Sequence, residues 1–256
     1  MNAPGTQELY RPPPNRLVWK GGLLQRLKTA ARIYADVQVF TVRRDVAPWL
    51  RGRRGSLLEV GCGDQPYREF VPADCRYVGL DIDAVFDGGA HDVVRFDGGN
   101  FPFTDASFES VFHTEVLEHV YDTRAFLAEC RRVLALGGEM VFSVPFQARY
   151  HYIPNDFYRF TPAALELLMA EAGFRDIRVQ PRGSDITVAS YKCISVFYRW
   201  ALSSILGKAL FPLTLPLVLL LLAIAYLSLW FSLGSSNDCL GYTVAATRCE
   251  REGLSG

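Results

Sequence analysis

The stretch Leu57-Leu58-Glu59-Val60-Gly61-Cys62-Gly63-Asp64 constrains this chain more than any other. An apolar run that enters a glycine turn reads as a buried parallel strand opening into a nucleotide loop. Roughly twenty residues on, Tyr77-Val78-Gly79-Leu80-Asp81 reads as the neighbouring strand, its terminal carboxylate placed for ribose hydroxyls. Glycine at 61 and 63 lets the backbone approach a ligand closely and take angles that a Cβ forbids. A dinucleotide fingerprint wants a third glycine at position 66, where helix packs on strand, and Pro66 stands there. That argues against NAD or FAD.

A glutamate two residues before a short Gly-x-Gly resembles motif I of the class I S-adenosylmethionine-dependent methyltransferases. The likeness continues downstream. Asp97, then Phe101-Pro102-Phe103, then Ser107-Phe108-Glu109-Ser110-Val111 resemble successive stretches of the methyltransferase type 11 group. So do Glu115-Val116-Leu117-Glu118-His119-Val120, and Arg131-Arg132-Val133-Leu134 followed by Gly137-Gly138. Each motif alone is weak; together, in order and at the right spacing, they are specific. The resemblance covers residues 55–180, with a last strand at 241–247.

It implies a Rossmann-like α/β fold: a mostly parallel seven-stranded sheet flanked by helices. Strands are expected at 56–60, 76–80, 92–96, 109–114, 139–145, 175–180 and 241–247, and helices at 118–135 and 162–172. The gaps 64–76 and 83–92 are too short for the usual full helices, and Gly88-Gly89 interrupts the second. The resemblance also implies S-adenosylmethionine as cofactor. Gly61 and Gly63 would pass beneath its methionine and ribose parts, with Glu59 fixing the loop. Asp81 would hold the ribose hydroxyls, Ile82 would press on adenine, and Asp97 would accept from the exocyclic amine.

The chain has 256 residues, half of them hydrophobic, enough for one α/β domain with additions. Twenty-seven basic residues balance 27 acidic ones, so there is no electrostatic footprint for nucleic acid. Six scattered cysteines without a Cys-x-x-Cys pair fit a reducing cytosol and argue against structural zinc. The first fifteen residues, with Pro12-Pro13-Pro14, read as a mobile tail and not as a signal peptide. Residues 23–50 show helical spacing and form, with that tail, an N-terminal segment (1–54) that packs on the sheet edge or covers the cofactor as a lid. The core then runs over 55–180, an apolar insertion over 181–240, and the final strand with its tail over 241–256.

That insertion is the oddity. No formal charge occurs from Ala209 to Asn237, a length that suits one bilayer span. A single span would strand residues 241–247 across the membrane from the sheet they complete. Pro212 and Pro216 are expected to break the helix. A re-entrant or interfacial hairpin anchored by Trp200, Tyr226 and Trp230, with both flanks on the cytoplasmic side, is the favoured reading. A single span and an apolar helix pair buried in a dimer are the alternatives.

Glu115, Glu118 and His119 fall at i, i+3 and i+4, and so are expected on one helix face at the ligand edge of the sheet. Three readings stay open: His119 as general base, the trio as a divalent-metal site with His151 or Asp156 as a further ligand, or a structural motif. The Glu-x-x-Glu-His pattern resembles the metal motif of the ubiquinone-pathway O-methyltransferases and the small-RNA 2′-O-methyltransferases. The loop from Val144 to Thr161 is dense in aromatic and titratable groups, and His151, Tyr158 and Arg159 are its acceptor-side candidates. The expected catalytic set is His119, His151 and Tyr158. Taken together, a methyltransferase acting on a small-molecule, lipid-linked, isoprenoid or glycan-type acceptor at the membrane surface is expected, with oxygen the favoured acceptor atom. A non-catalytic membrane-tethered binding module on the same scaffold is the alternative.

Overall fold

The computed structural model describes residues 22–82, 93–203 and 205–250. The expected mobile tail and the Gly88-Gly89 crossover lie outside those residues. Seven strands form one sheet: β1 (Ser56–Val60), β2 (Arg76–Asp81), β3 (Val93–Arg95), β4 (Phe108–Thr114), β5 (Leu134–Pro145), β6 (Phe174–Arg182) and β7 (Gly241–Arg248). Their spatial order is β3-β2-β1-β4-β5-β7-β6. β1 pairs in parallel with β2 and β4, and β7 runs antiparallel between β5 and β6. The carboxyl ends of the parallel strands therefore share one edge, where open α/β sheets bind ligands.

Helices cover both faces because each turns an apolar stripe to the sheet. On one face α2 (Val37–Arg51) packs Val42, Val46 and Leu50 against Leu57, Tyr77, Phe112 and Val141. On the other, α3 (Thr123–Val133) and α4 (Pro162–Glu171) bring Leu127, Cys130, Val133, Leu165 and Met169 onto Leu58, Val111, Phe142 and Val244. Between β1 and β2 the chain makes only a single 3-10 turn at Arg68–Phe70, as the short gap requires.

Three expectations change. Residues 23–50 are two helices, α1 (Leu23–Ala35) and α2, because the Asp36 carboxylate accepts from the backbone N–H groups of Gln38 (3.0 Å) and Val39 (3.2 Å) and starts a new helix there. The helix expected at 118–135 begins only at Thr123, capped by the Asp122 carboxylate on Ala125 N at 3.0 Å. Residues 117–119 form a lone 3-10 turn, so Glu115, Glu118 and His119 do not share a helix face. β5 begins at Leu134 and not at 139, since its ladder with β4 continues past a register shift, helped by Gly137 at φ +74°.

The insertion is a helical hairpin, α5 (Asp185–Ser203) packed along α6 (Ile205–Phe231). Pro212 and Pro216 lie inside a continuous α6. Each forfeits one backbone bond while its neighbours hold the helix, and α5 alongside supports it. The hairpin's two ends meet: Ser184 Oγ donates to Leu233 O at 2.6 Å, and Asp185 N donates to Ser235 O at 3.0 Å. Its base packs on α2 through Val37, Val188, Ala225 and Leu240. Tyr226 belongs to this packing, its hydroxyl donating to Tyr34 O at 2.9 Å and its ring edge-on to Phe40. Trp230 and Ile205 stay exposed, at 69% and 87%.

Candidate active site

The carboxyl edge is built from two halves. At the end of β1 the chain turns sharply, with Gly61 at φ +66° and Gly63 at φ +48°. The two glycines serve different needs. A Cβ on Gly61 would fall 2.5 Å from Val116 Cγ2, so close packing requires glycine there. At Gly63 nothing lies within 4 Å of the Cβ position, so the open side of the turn is space that a side chain would fill. Gly63 N donates to Asp81 Oδ2 at 2.8 Å, which fixes the carboxylate ending β2 beside that space.

Ile82, 55% exposed, continues past β2. It lines an open cavity of ≈ 640 Å³ together with Arg95, Phe96, Asp97, Asn100 and Pro102. Asp97 Oδ1 accepts from Gly99 N at 2.9 Å. Glu59 is placed differently: it is 1% exposed and accepts the Tyr77 hydroxyl below the turn. Burial pushes its carboxyl up to about 8, against the lowering effect of the Tyr77 hydrogen bond. Gly61, Gly63, Asp81, Ile82 and Asp97 thus line one continuous stretch of the edge, with Glu59 beneath it. This arrangement fits a nucleoside-bearing cofactor.

The second half surrounds the turn after β4. Glu115 sits there in the left-handed region (φ +55°), strain of the kind that concentrates at functional sites. Its Oε1 accepts from Arg182 Nη2 at 2.8 Å and from Ser143 Oγ at 2.9 Å, and its Oε2 from Gln38 Nε2 at 3.2 Å. These bonds commit Glu115 to the junction of β5, β6 and α2. Glu118 goes the other way. It is fully buried, and neither carboxylate oxygen has a hydrogen-bond partner. Burial, with the charge of Glu115 adding to it, holds its carboxyl well above the usual carboxylate range.

The loop after β5 folds back over this turn, Phe157 N donating to Glu118 O at 2.8 Å. His119 and His151 meet with ring centroids 4.8 Å apart. Burial lowers the His119 pKa. Asp156 accepts from Arg159 through both oxygens (2.6 and 2.8 Å) and from His151 N at 3.0 Å. Burial alone would raise the Asp156 carboxyl, but these bonds and the Arg159 charge hold it below its ordinary value. Tyr158, the third expected catalytic residue, turns its hydroxyl to Tyr121 O at 2.9 Å.

Sequence reasoning missed Arg182. It is fully buried at the end of β6, and besides Glu115 it donates to Val144 O at 3.1 Å. A Cβ on Gly241, its partner across the ladder, would collide with its guanidinium. A glycine opening β7 is the one trace of this arrangement in the sequence. At the opposite edge of the sheet a hollow of ≈ 400 Å³ touches Gly55, Glu109 and Glu139. Its charged groups are already engaged, Glu139 with Arg53 and Glu109 with Ser56.

Residues 58–142 match the family model described as "Methyltransferase domain". A protein of Mycolicibacterium smegmatis described as "Probable S-adenosylmethionine-dependent methyltransferase" is 37% identical over 99 residues, 35% of this chain and 37% of that protein. One of the same description in Mycobacterium tuberculosis is 30% identical over 137 residues, 47% of this chain and 49% of that protein. The chain thus spans half or less of the length of these curated relatives. Among solved structures, a SAM dependent methyltransferase from Archaeoglobus fulgidus superposes with a TM-score of 0.51 at 16% identity, over 87% of this chain and 99% of that one.

Proposed function

From a core that belongs to the class I S-adenosylmethionine-dependent methyltransferases, we propose that this protein transfers a methyl group from S-adenosylmethionine to an oxygen of a small, lipid-like or lipid-linked acceptor at the cytoplasmic face of a membrane. The observation that carries the donor half is the Gly61–Gly63 turn held to the Asp81 carboxylate beside open space. In this reading Asp81 accepts both ribose hydroxyls, Ile82 covers adenine, Asp97 takes its amine, and Glu59 braces the turn from below. The bound cofactor supplies an already activated methyl group, so the protein's tasks are alignment and removal of one acceptor proton. His119, whose pKa burial lowers, is suited to take that proton, with His151 beside it; Tyr158 is the third candidate, its hydroxyl turned to Tyr121 O. A divalent cation held by His119 is the alternative to His119 as base, since with Nδ1 on Asn155 O its one remaining lone pair, on Nε2, serves either a proton or a metal.

The membrane part rests on the hairpin. α6 has 27 residues, about 40 Å of helix, and is long and apolar enough to cross a bilayer. Leu213 and Ile205 are 77% and 87% exposed. Because the hairpin's ends meet beside the sheet, entry and exit lie on one side.

Calorimetric titration of the full chain with S-adenosylmethionine and S-adenosylhomocysteine tests the donor half; saturable, micromolar-scale binding of both is expected, and no binding overturns it. Transfer of labelled methyl into a membrane lipid extract tests the acceptor class. Donor binding without transfer to any lipid or polar extract would favour a binding module instead. Flotation with phosphatidylcholine vesicles should capture the chain, and Ile205→Asp with Leu213→Asp should release it.

A further inference from the structure

We propose that Glu118, His119 and His151 form a binding site for one nitrogen-preferring divalent cation such as Zn²⁺ or Co²⁺. One ligand atom from each of the three lies within 4.8 Å of the others. No other such group of ligands occurs among the described residues. The juxtaposition is tertiary: two residues come from the turn after β4 and the third from the loop after β5.

Three features distinguish the cluster from a chance meeting of polar groups. The first is the unsatisfied carboxylate. Glu118 is fully buried with both oxygens unpartnered, and its Oε1 lies 3.7 Å from His119 Nε2, itself buried and unpartnered. A buried carboxylate left so is costly, and a cation repays that cost directly. The second is the state of the histidines. His119 Nδ1 lies 2.6 Å from Asn155 O, and His151 Nδ1 lies 2.8 Å from Arg149 O. A carbonyl only accepts, so each Nδ1 carries a hydrogen, and Nε2 is the atom of each ring that can turn to a cation. Metal-binding histidines are typically oriented this way, by a carbonyl or carboxylate on the far nitrogen. Asp156 Oδ2, 3.1 Å from His151 Nδ1, adds the carboxylate. The third is access: Glu118 is sealed, while the His119 and His151 side chains keep 19% and 14% of their surface, so a cation enters from the histidine side.

Two imidazoles and one carboxylate suit Zn²⁺, Co²⁺ or Fe²⁺ better than Mg²⁺, which prefers oxygen and several waters. Metal–ligand distances of about 2.0–2.1 Å place tetrahedral ligands about 3.3 Å apart. The cluster therefore closes on the ion, by rotation of His151 on its loop. Three protein ligands leave a position open for water or substrate. This set differs from Glu115-Glu118-His119, because Glu115 is spent on Arg182 and Ser143. That the open position serves an acceptor oxygen rests on the methyl-transfer reading; cation binding does not.

The test is titration of the chelator-stripped full chain with CoCl₂, read by visible d–d absorption and by metal content after gel filtration. One Co²⁺ per chain is expected, competed by Zn²⁺ but not by millimolar Mg²⁺. His151→Ala, on a surface loop, and Glu118→Gln, which keeps the shape of the side chain, should each weaken binding by about 100-fold or more. Glu115→Gln should leave it within a few-fold. Wild-type binding no tighter than that of His151→Ala overturns the site, and loss on Glu115→Gln with His151→Ala unaffected replaces it by the other ligand set. Titration of the same samples with S-adenosylhomocysteine separates failure here from failure of the donor site.

Discussion

Where β1 and β2 end, the ligand edge is made of backbone; where β4, β5 and β6 end, it is made of side chains brought from distant segments. The turn of the donor half needs two left-handed glycines and the Asp81 carboxylate, all between Gly61 and Asp81, with Glu59 buried beneath it and Asp97 beyond. The other half draws Gln38 from α2, Glu115, Glu118 and His119 from the turn after β4, His151, Asp156 and Arg159 from a loop, and Arg182 from β6. One half holds the Asp81 and Asp97 carboxylates with backbone N–H groups. The other buries ionisable groups, pairing Arg182 with Glu115 and Arg159 with Asp156 while Glu118 is left without a partner. Damage to the donor half should therefore cost affinity, and damage to the other half should cost stability.

The largest effect is expected from Arg182→Leu. Removing one partner of a buried ion pair leaves the other uncompensated, at a cost of about 3–5 kcal/mol. Glu115 keeps 27% of its side-chain surface, which places the loss at about 3 kcal/mol, the lower end. Urea unfolding measures it, and Glu115→Gln in the same chain should recover part of the loss. A midpoint unchanged by Arg182→Leu would erase the contrast between the halves.

Asp81→Ala should do the opposite. Donor affinity should fall by about 1.5–3 kcal/mol, the scale of hydrogen bonds to a charged group, while the urea midpoint stays nearly constant. Calorimetry and unfolding on the same preparation give both numbers. Loss of stability comparable to that of Arg182→Leu would show that the donor half, too, depends on its charge for folding.

The smallest effect at neutral pH, growing only in acid, serves as a control belonging to neither half. His113 lies within β4, fully buried, its ring stacked on Phe142 at 4.7 Å, with both nitrogens unpartnered. Burial lowers its pKa to about 3. The unfolded chain takes up this proton near pH 6.5 and the folded chain only near 3, so its contribution is complete above 6.5 and is lost as pH falls toward 3. The slope is up to about 1.4 kcal/mol per pH unit. His113→Phe should flatten the acid side of the stability curve without changing donor affinity. An unchanged slope would mean that other groups govern acid unfolding.

The donor half was legible in the sequence because its determinants are local. Gly61, Gly63 and the strand-ending Asp81 are dictated by backbone angles and strand length, and these leave a trace in consecutive residues. Strand positions from β1 to β7 were legible for the same reason, since an apolar run between turns can satisfy its backbone only in a ladder. The helix face expected for Glu115, Glu118 and His119 was a misreading of local spacing. Asp122 starts α3 later, and the intervening residues make one 3-10 turn.

The sequence by itself determined the order of the strands along the chain, the glycine turn with its answering carboxylate, and the existence of an uncharged insertion before the last strand. Tertiary structure alone decided that Glu115 pairs with Arg182, that Glu118 is left bare beside His119 and His151, and that α5 and α6 close into a hairpin whose ends meet at Ser184 and Leu233. The reason is one of range. Backbone conformation depends on neighbours in the chain, whereas the partner of a buried charge is whichever group the packed strands bring within about 3 Å of it.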